Sequence, residues 1–534
     1  MVVSKTDVEV EDQAQAREVI PHDHLYKVTG LSSSNLEKLA QEPEVDFEAA
    51  IAATSYGRFN VALMLCTLPA FWSAVSVTSS TSYIFTRAKC DMNLRLLDMG
   101  TVNAITYGGM ISSALVWGFL SDTLGRRRIL IWGFLGAGLV ELAAGVSQNF
   151  TMLLITRFSS GFLFNGPFAV LISYLAEMHR TELRARVILL TGLFYTFANT
   201  TLPLLAWAFL TRDWEFLLFG NKIVIHSWNL FLLATALAPI ITGAAFVCLP
   251  ESPKFLMSRG RNEEAMAIFQ RIYAMNTGQP AKSYPVTRLV EEKCSQQGRG
   301  VAALRGGWAQ LAPLFRPPHV AWLLLICAIH LGCMFGSNTL RLWYPQLAAM
   351  IGSGNGSLCA AITPVPLPDV VEGVGDEACI PLQTDMVTYL QSVIVGAGSV
   401  LTYGIGGALV NRCGKKVVTG VCGVASAVLV ALLPPLGGGA PAVVALVTAA
   451  LALTSLAGAA LSSICVDLFP TSLRVMAMAT FLMFGRLGTI SGTVIFPALI
   501  DYGCLPPFIT ISLVLALCGI ACFFLPNTTL KKLE

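Results

Sequence analysis

Charge is scarce in this chain. Of its 534 residues only 13% are charged while 54% are hydrophobic, and the mean hydropathy is +0.66. Such a composition excludes a single water-soluble domain. The net charge of +3 is spread over loops and forms no basic face, so nucleic acid is not an expected partner. The cysteines make no compact disulfide framework: Cys66, Cys248, Cys327, Cys333, Cys422, Cys465, Cys518 and Cys522 lie in apolar runs and read as small core residues. Catalytic motifs are missing too. Gly414-Lys415-Lys416 fails the phosphate-binding pattern G-x-x-x-x-G-K-(S/T), because residue 409 is Leu and no Ser or Thr follows Lys415. Neither H-E-x-x-H nor a serine-nucleophile elbow occurs, so no enzyme, metal site or cofactor is expected. Residues 1–57 are polar and acidic, with Glu9, Glu11, Asp12, Glu42, Glu44 and Asp46. No signal peptide is visible there, and the first apolar run is expected to act as the insertion signal.

Long apolar runs are abundant. Stretches of spanning length lie at 58–80, 100–120, 129–147, 151–175, 186–210, 228–250, 319–345, 386–410, 417–435, 441–465, 475–498 and 505–526, each near the roughly 20 residues a membrane helix needs. Twelve spans place both tails on one side. Arg126, Arg127, Arg128, Arg180, Arg184, Arg186, Arg412, Lys415, Lys416, Arg474, Lys531 and Lys532 fall on the side of the tails, against Arg87, Lys89, Arg95, Arg212 and Lys222 opposite. Basic residues stay in the cytoplasm, so both termini are expected there. The expected organisation is a cytoplasmic tail over 1–57, a six-helix bundle over 58–250, a basic cytoplasmic linker over 251–318, a second six-helix bundle over 319–526 and a short tail over 527–534. Within the linker, Ala265, Ile268, Phe269, Ile272 and Met275 recur at helical spacing, which predicts a surface-lying amphipathic helix over 262–275.

Three motifs sit at the predicted cytoplasmic ends. The first, Gly118-Phe-Leu-Ser-Asp122-Thr-Leu-Gly125-Arg126-Arg127-Arg128, resembles the signature G-x-x-x-D-(R/K)-x-G-(R/K)-(R/K) of the major facilitator superfamily, with Thr123 at the usually basic sixth position. Gly118 suits close helix approach, Gly125 a tight turn, and Asp122 a latch to basic groups or a helix N-terminus. A weaker copy follows in the second half, Gly407-Ala-Leu-Val-Asn411-Arg412-Cys-Gly414-Lys415-Lys416, with Asn411 in place of the carboxylate. Together the two give the internal duplication of that fold. A second pair, Glu177 to Arg184 and Asp467 to Arg474, spaces an acid and an arginine by seven at the ends of spans four and ten, as an ion network at a gate or an ordinary interfacial pair would. The third motif, Pro250-Glu251-Ser252-Pro253-Lys254-Phe255-Leu256, resembles the P-E-S-P-(R/K)-F-L element of the sugar-porter and organic-ion branches. Ala206-Trp207-Ala208, Trp214 and His226-Ser-Trp228 are similar to the synaptic vesicle glycoprotein 2 family.

The resemblance implies an all-α polytopic membrane protein with twelve transmembrane helices in two pseudo-symmetric six-helix bundles. It also implies a pocket position for Trp207. The chain departs from that family in three places: Phe71 to Thr78 carries no acid, Gly458 and Ser462 stand where a Trp and an Asp are usual, and only residues 346–385 follow span seven where a large lumenal domain is common.

Ionisable groups at membrane depth are functional candidates by default. Arg157 resembles the superfamily's fourth-helix arginine. Arg486, mid-span in helix eleven, reads as an anion-facing or relay charge, or as a structural arginine between Gly485 and Gly488. Glu141 is expected paired or at the interface, Arg341 near the outer membrane surface, and His330 in packing. The candidate cavity comprises Phe71, Trp72, Arg157, Tyr195, Asn199, Trp207, Asn338, Trp343, Tyr344, Tyr389, Tyr403, Ser462 and Arg486, suiting an apolar or aromatic ligand with a few polar contacts. The outward loop after span seven holds a glycosylation sequon at Asn355 and two cysteines, Cys359 and Cys379, expected to pair in an oxidising lumen.

Two functions follow. One is secondary active transport of a small organic solute by alternating access, with a coupling proton or ion as a further partner. The other is a non-transporting vesicle-membrane scaffold that binds ligand. The lipid bilayer is a partner in both, whether plasma membrane or intracellular vesicle.

Overall fold

A computed structural model describes residues 44–218, 220, 223–291, 312–317, 319–352, 358–362 and 385–526. Asn355, Cys379 and the 527–534 tail lie outside the described residues, as do the side chains of Asp122, Asn411 and Tyr403.

Among the described residues, 9 helices are long and apolar enough to cross a membrane. The spanning positions in chain order are α2 (Arg58–Asp91), α3 (Leu96–Leu124), α4 (Arg126–Gly145), α5 (Phe150–Glu177), α6 (Thr181–Leu210) and α7–α8 (Ser227–Thr235, Leu237–Val247), preceded by the short α1 (Phe47–Ala53). After α9 (Pro253–Ser258) and α10 (Asn262–Thr277) come α11 (His319–Gly352), α12 (Leu358–Ile362), α13 (Met386–Cys413), α14 (Lys415–Ala431), α15 (Leu433–Leu436), α16 (Ala440–Leu468), α17 (Thr471–Ile500) and α18 (Leu505–Ala521). Every expected span is therefore helical; α3, α13 and α14 complete the set beside the nine. The molecule is a multi-pass membrane protein. Leu505, Ile509, Leu513 and Leu517 recur every fourth residue on α18 and are all exposed, a continuous apolar stripe suited to a lipid solvent.

Helices α3 and α5 meet through glycine. A Cβ on Gly161 would collide with the Thr106 carbonyl, and one on Gly109 with the Phe158 carbonyl, so the two backbones touch as small-residue membrane interfaces do. The α11–α17 pair repeats the device, with Gly488 against Leu331 and Gly492 against Phe335. Substituting Gly161 with leucine should therefore cost the protein its folded yield. The check is size-exclusion chromatography in detergent, where a monodisperse G161L at wild-type yield would refute the contact.

The hydrophobic core divides by depth. Gly125 and Gly414, both in left-handed conformation (φ +88° and +83°), make the turns α3–α4 and α13–α14 at one end, called here the basic end after Arg126–Arg128 and Lys415–Lys416. At the opposite end a single core joins residues of α2, α3 and α6 (Ile84, Phe85, Val102, Leu202) to residues of α11, α13 and α17 (Trp343, Tyr389, Val395, Phe496). Toward the basic end the core is divided into separate clusters, the two largest of which lie mainly one in each half. One holds Phe59, Leu63, Phe134, Tyr174 and Phe246 with Leu342 of α11 reaching in; the other holds Leu323, Leu461, Phe469 and Phe481.

Three features were not expected. A two-stranded antiparallel hairpin, β1 (Glu215–Leu218) with β2 (Ile223–His226), covers the opposite end. Its base is tied by Trp228 Nε1 donating to Asp91 at 2.6 Å and by Ser227 bonding the Arg212 carbonyl. The expected Cys359–Cys379 pair is corrected: Cys359 on α12 is bonded to Cys504 in the α17–α18 turn, 145 residues away in sequence, where α12 is docked with the Leu358 N–H donating to the Gly437 carbonyl at 2.9 Å. Cys90 is disulfide-bonded as well. Finally, α10 buries Ala265 and Phe269 against α1, α9 and the strand-like segment around Leu289 and Ile272 against the core that holds Phe59 and Leu63 of α2, so it lies on protein instead of a free surface, and Met275 is exposed.

Candidate functional site

The third motif is a helix cap. Glu251 Oε1 accepts from the backbone N–H of Arg126 at 2.9 Å, of Arg127 at 3.0 Å and of Ser252 at 2.9 Å. A carboxylate there satisfies the orphan donors that start α4 and complements its dipole. Gly125 leaves room for it, since a Cβ would stand 2.6 Å from Glu251 Oε2. Around the cap, Arg126 faces Glu177 at 3.5 Å and lies over the Phe255 ring, Ser252 donates to Glu177 at 2.5 Å, and Arg127 donates to the Val247 carbonyl at 2.7 Å.

Glu177, Arg184 and Asp467 each sit in an ion pair at this end, but neither acid pairs with the arginine seven residues on among the contacts described. Glu177 pairs with Arg126, while Arg184 donates to both oxygens of Glu48 at 2.9 Å. In the second half Asp467 pairs with Lys415; Arg474 is half-buried and Arg412 exposed. Gly118, expected at a close approach, faces open space, with nothing within 4 Å of a Cβ built there. The face of α3 that carries Gly118 is open, whereas the adjacent Trp117 packs on Gly166 of α5 and donates to the Phe162 carbonyl at 2.7 Å.

Two groups at this end, His179 and Glu48, are held below their ordinary values. Burial pushes His179 below 6.5, aided by the Arg184 charge and opposed by its bond to the Leu175 carbonyl. Partial burial alone would raise Glu48, but hydrogen bonds from Thr181 and Arg184 and the charges of Arg184 and Lys254 outweigh it and hold the carboxyl below 4.5. Both folded values are depressed, so each contribution is complete above the unfolded value and is lost as pH falls through the folded one. Thermal stability in detergent should thus begin to fall below pH 6.5 through His179, with a second decline below 4.5 through Glu48. In a His179→Gln variant the first decline should vanish; an unchanged profile would exclude His179 as its source.

Midway between the ends lies a cavity of about 500 Å³ between the two halves. It begins at the shared core, beside Tyr83, Tyr344 and Val395, and extends toward the basic end as far as Ser462 and Leu482. Arg341 of α11 occupies its centre. Its Nη1 donates to Ser79 at 3.0 Å and Tyr195 at 3.3 Å, its Nη2 to Tyr107 at 3.4 Å and its Nε to Asn338 at 3.2 Å. Arg486 of α17 reaches the other half in the same way, to Asn165 Oδ1 at 2.5 Å and the Met110 carbonyl at 3.4 Å. Asn165 is itself fixed by donation to Met110 at 2.8 Å.

Of the residues expected in the cavity, Tyr195, Asn199, Asn338, Tyr344, Ser462 and Arg486 line it. The others whose side chains are described are placed elsewhere. Phe71 is buried edge-on against Phe168, and Trp72 donates to Thr201 at 3.0 Å in the wall behind. Trp343 donates to the Thr493 carbonyl at 3.3 Å within the second half, and Tyr389 belongs to the shared core. Trp207 is 37% exposed on the outside of α6, about 100° around the helix from the buried face formed by Ala198, Leu202, Ala206 and Leu210. Arg157 is wholly buried against Glu141 at 3.1 Å, with Ser160 donating to the same carboxylate at 2.5 Å, so it serves α4–α5 packing and not the cavity. Arg341 was expected near the outer surface; α11 runs on to Gly352 and places it deep instead. His330 stacks on Phe481, centroids 3.7 Å apart, at the cavity's edge.

The profile of one family, described as Sugar (and other) transporter, matches residues 66–362, more than half of the chain. The chain belongs to this sugar (and other) transporter family. The major facilitator superfamily profile matches residues 380–534. Among curated relatives, synaptic vesicle glycoprotein 2A of Pongo abelii is 26% identical over 331 residues, covering 58% of this chain and 44% of that one. Synaptic vesicle glycoprotein 2C of Mus musculus is 27% identical over 276 residues, covering 51% and 37%. The match thus spans less than half the length of these relatives. Among solved structures, the inward-open xylose transporter XylE from E. coli superposes with a TM-score of 0.60 at 15% identity, covering 89% of this sugar (and other) transporter family member and 98% of XylE. Its partially occluded inward-open form gives 0.59 at 14%, covering 88% and 100%. At that identity the likeness speaks for the fold: a major facilitator fold.

Proposed function

We propose that the protein is a secondary transporter that carries a small organic solute across a membrane by alternating access, with the halves 58–250 and 319–526 as the rocking bodies and the basic end in the cytoplasm. The supporting observation is the division of the core, single across both halves at one end and split at the other, with the cavity between. Contacts that a rocking motion must exchange all cross the halves: α3 on α17, α6 on α13 and α2 on α11. In this reading the structure is the inward-facing state. Glu251, Glu177, Arg126, Arg127 and Arg184 hold the first half rigid at its basic end, as Lys415 and Asp467 do the second, and Asp122, Gly118, Asn411, Arg412, Gly414 and Arg474 belong to the surface that closes in the outward-facing state. Coupling to a proton has one carboxylate in the spans to call on, Glu141, already committed to Arg157 and Ser160. A second reading, ligand binding without flux in a vesicle or plasma membrane, draws support from that carboxylate-poor interior and from the vesicle glycoprotein relatives.

Uptake by reconstituted liposomes, measured for cations, anions and sugars with and without a proton gradient, tests both. Saturable uptake of any solute supports transport; saturable binding with no flux for any of them replaces it with the scaffold.

A further inference from the structure

Resting on the reading of the central cavity as the solute site, its charge identifies the class of solute. Across the twelve apolar runs, Glu141 is the single acidic residue in the sequence, and it is consumed by Arg157. That leaves Arg341 and Arg486, the two cationic side chains among the described cavity lining, with no carboxylate beside them. The stretch of α13 whose side chains are not described, 399–408, adds none, being Ser-Val-Leu-Thr-Tyr-Gly-Ile-Gly-Gly-Ala. What holds the two guanidinium groups is neutral throughout: hydroxyls of Ser79, Tyr107 and Tyr195, two asparagine oxygens and one carbonyl. Neutral dipoles orient a cation, but they do not cancel its charge in a low-dielectric interior.

The two arginines also work as a pair. Arg341 donates to the Tyr107 hydroxyl and Arg486 to the Met110 carbonyl, residues three positions apart on α3. Each reaches from the second half to the first. A ligand that replaced these neutral partners with carboxylate oxygens would gain charge-assisted, two-pronged bonds at the surfaces that must separate and rejoin.

We propose that the cavity takes a small organic dianion, with Arg341 and Arg486 together supplying its counter-charge. The tyrosine hydroxyls and the rings of Phe164 and Phe168 then flank its carbon skeleton.

The test is binding to the purified full-length protein in detergent, which needs no flux and so stands apart from the transport reading. The probes are succinate and phthalate, with phthalamide, glucose and chloride as controls at matched ionic strength. In the wild type, a dianion should slow phenylglyoxal modification of Arg341 and Arg486, read by mass spectrometry of their peptides, and the three controls should not. Arg341→Gln and Arg486→Gln should each weaken phthalate binding by about tenfold or more, with the lysine variants intermediate because they keep charge but lose the planar fork. Should a glutamine variant fail to fold, the wild-type protection experiment decides. Protection by chloride equal to that by either dianion, protection by glucose or phthalamide, or no protection by either dianion would overturn the proposal. Binding that passes this test in a protein without flux would sink the transport reading alone.

Discussion

Glu141→Leu is expected to be among the most damaging single changes in the spans, at about 3–5 kcal/mol, because it strands the Arg157 guanidinium in a dry interior. Both side chains are essentially inaccessible, 0% and 2% exposed; only Nη1 of Arg157 bonds Glu141, and its Nε and Nη2 have no hydrogen-bond partner among the described residues. The double variant Glu141→Leu/Arg157→Met should recover most of that loss. Replacing a whole buried pair by apolar groups of similar size removes the desolvation penalty along with the attraction, and Ser160 can turn its hydroxyl to a carbonyl of its own helix. A double-mutant cycle read from thermal unfolding in detergent measures this directly. Equal damage in the single and double variants would mean that the pair does not act as a unit. The same double variant also separates structure from coupling: uptake that survives it removes Glu141 from any proton path.

Much of the fold was written in the sequence, because span length is a constraint imposed by the bilayer and not by neighbouring side chains. The basic turns were legible for the same reason, and Gly125 and Gly414 have the positive φ that their motif positions implied. The hairpin was not. Phe216 to Leu218 and Ile223 to Ile225 flank a Gly220-Asn221 pair, a strand–turn–strand pattern that was masked by the hydrophobicity of the chain around it. The cavity was only partly legible, since aromatic content does not say which side of a helix faces inward. On α6 the inward side is set by Tyr195 and Asn199, and Trp207 falls off it. Arg341 was misplaced by a boundary: a helix ending at residue 345 would put it within a turn of the surface, whereas α11 continues for 11 residues beyond it, to Gly352, or about 16 Å of helix. The disulfide failed for another reason. Proximity along the chain suggested Cys379 for Cys359, but the docking of α12 brings Cys504 to it.

The widest-reaching expectation concerns the sealed end. There α3 of the first half meets α17 of the second with Gly100 at the contact: a Cβ at that position would run into the Thr493 carbonyl and stand 3.1 Å from Pro497 Cγ. Leucine at Gly100 must therefore pry the halves apart where they share a core, while the basic end, already separate, has no comparable clash. Overpacking of this kind costs about 1–3 kcal/mol, and under the proposed alternating-access cycle it falls on one of the two states. The population should then move about tenfold or more toward the state that opens opposite the basic turns. Two measurements read that shift. Uptake into liposomes should fall by a similar factor with the protein still monodisperse. In addition, a cysteine at Ser392, which lines the cavity close to the seal, should react faster with a membrane-impermeant thiol reagent added from the side away from the basic turns. If Gly100→Leu leaves both the uptake and the Ser392→Cys labelling rate as they are in a Gly100 background, the sealed end does not open during the cycle. The two halves would then form a fixed vessel for the ligand and not a pair of moving walls.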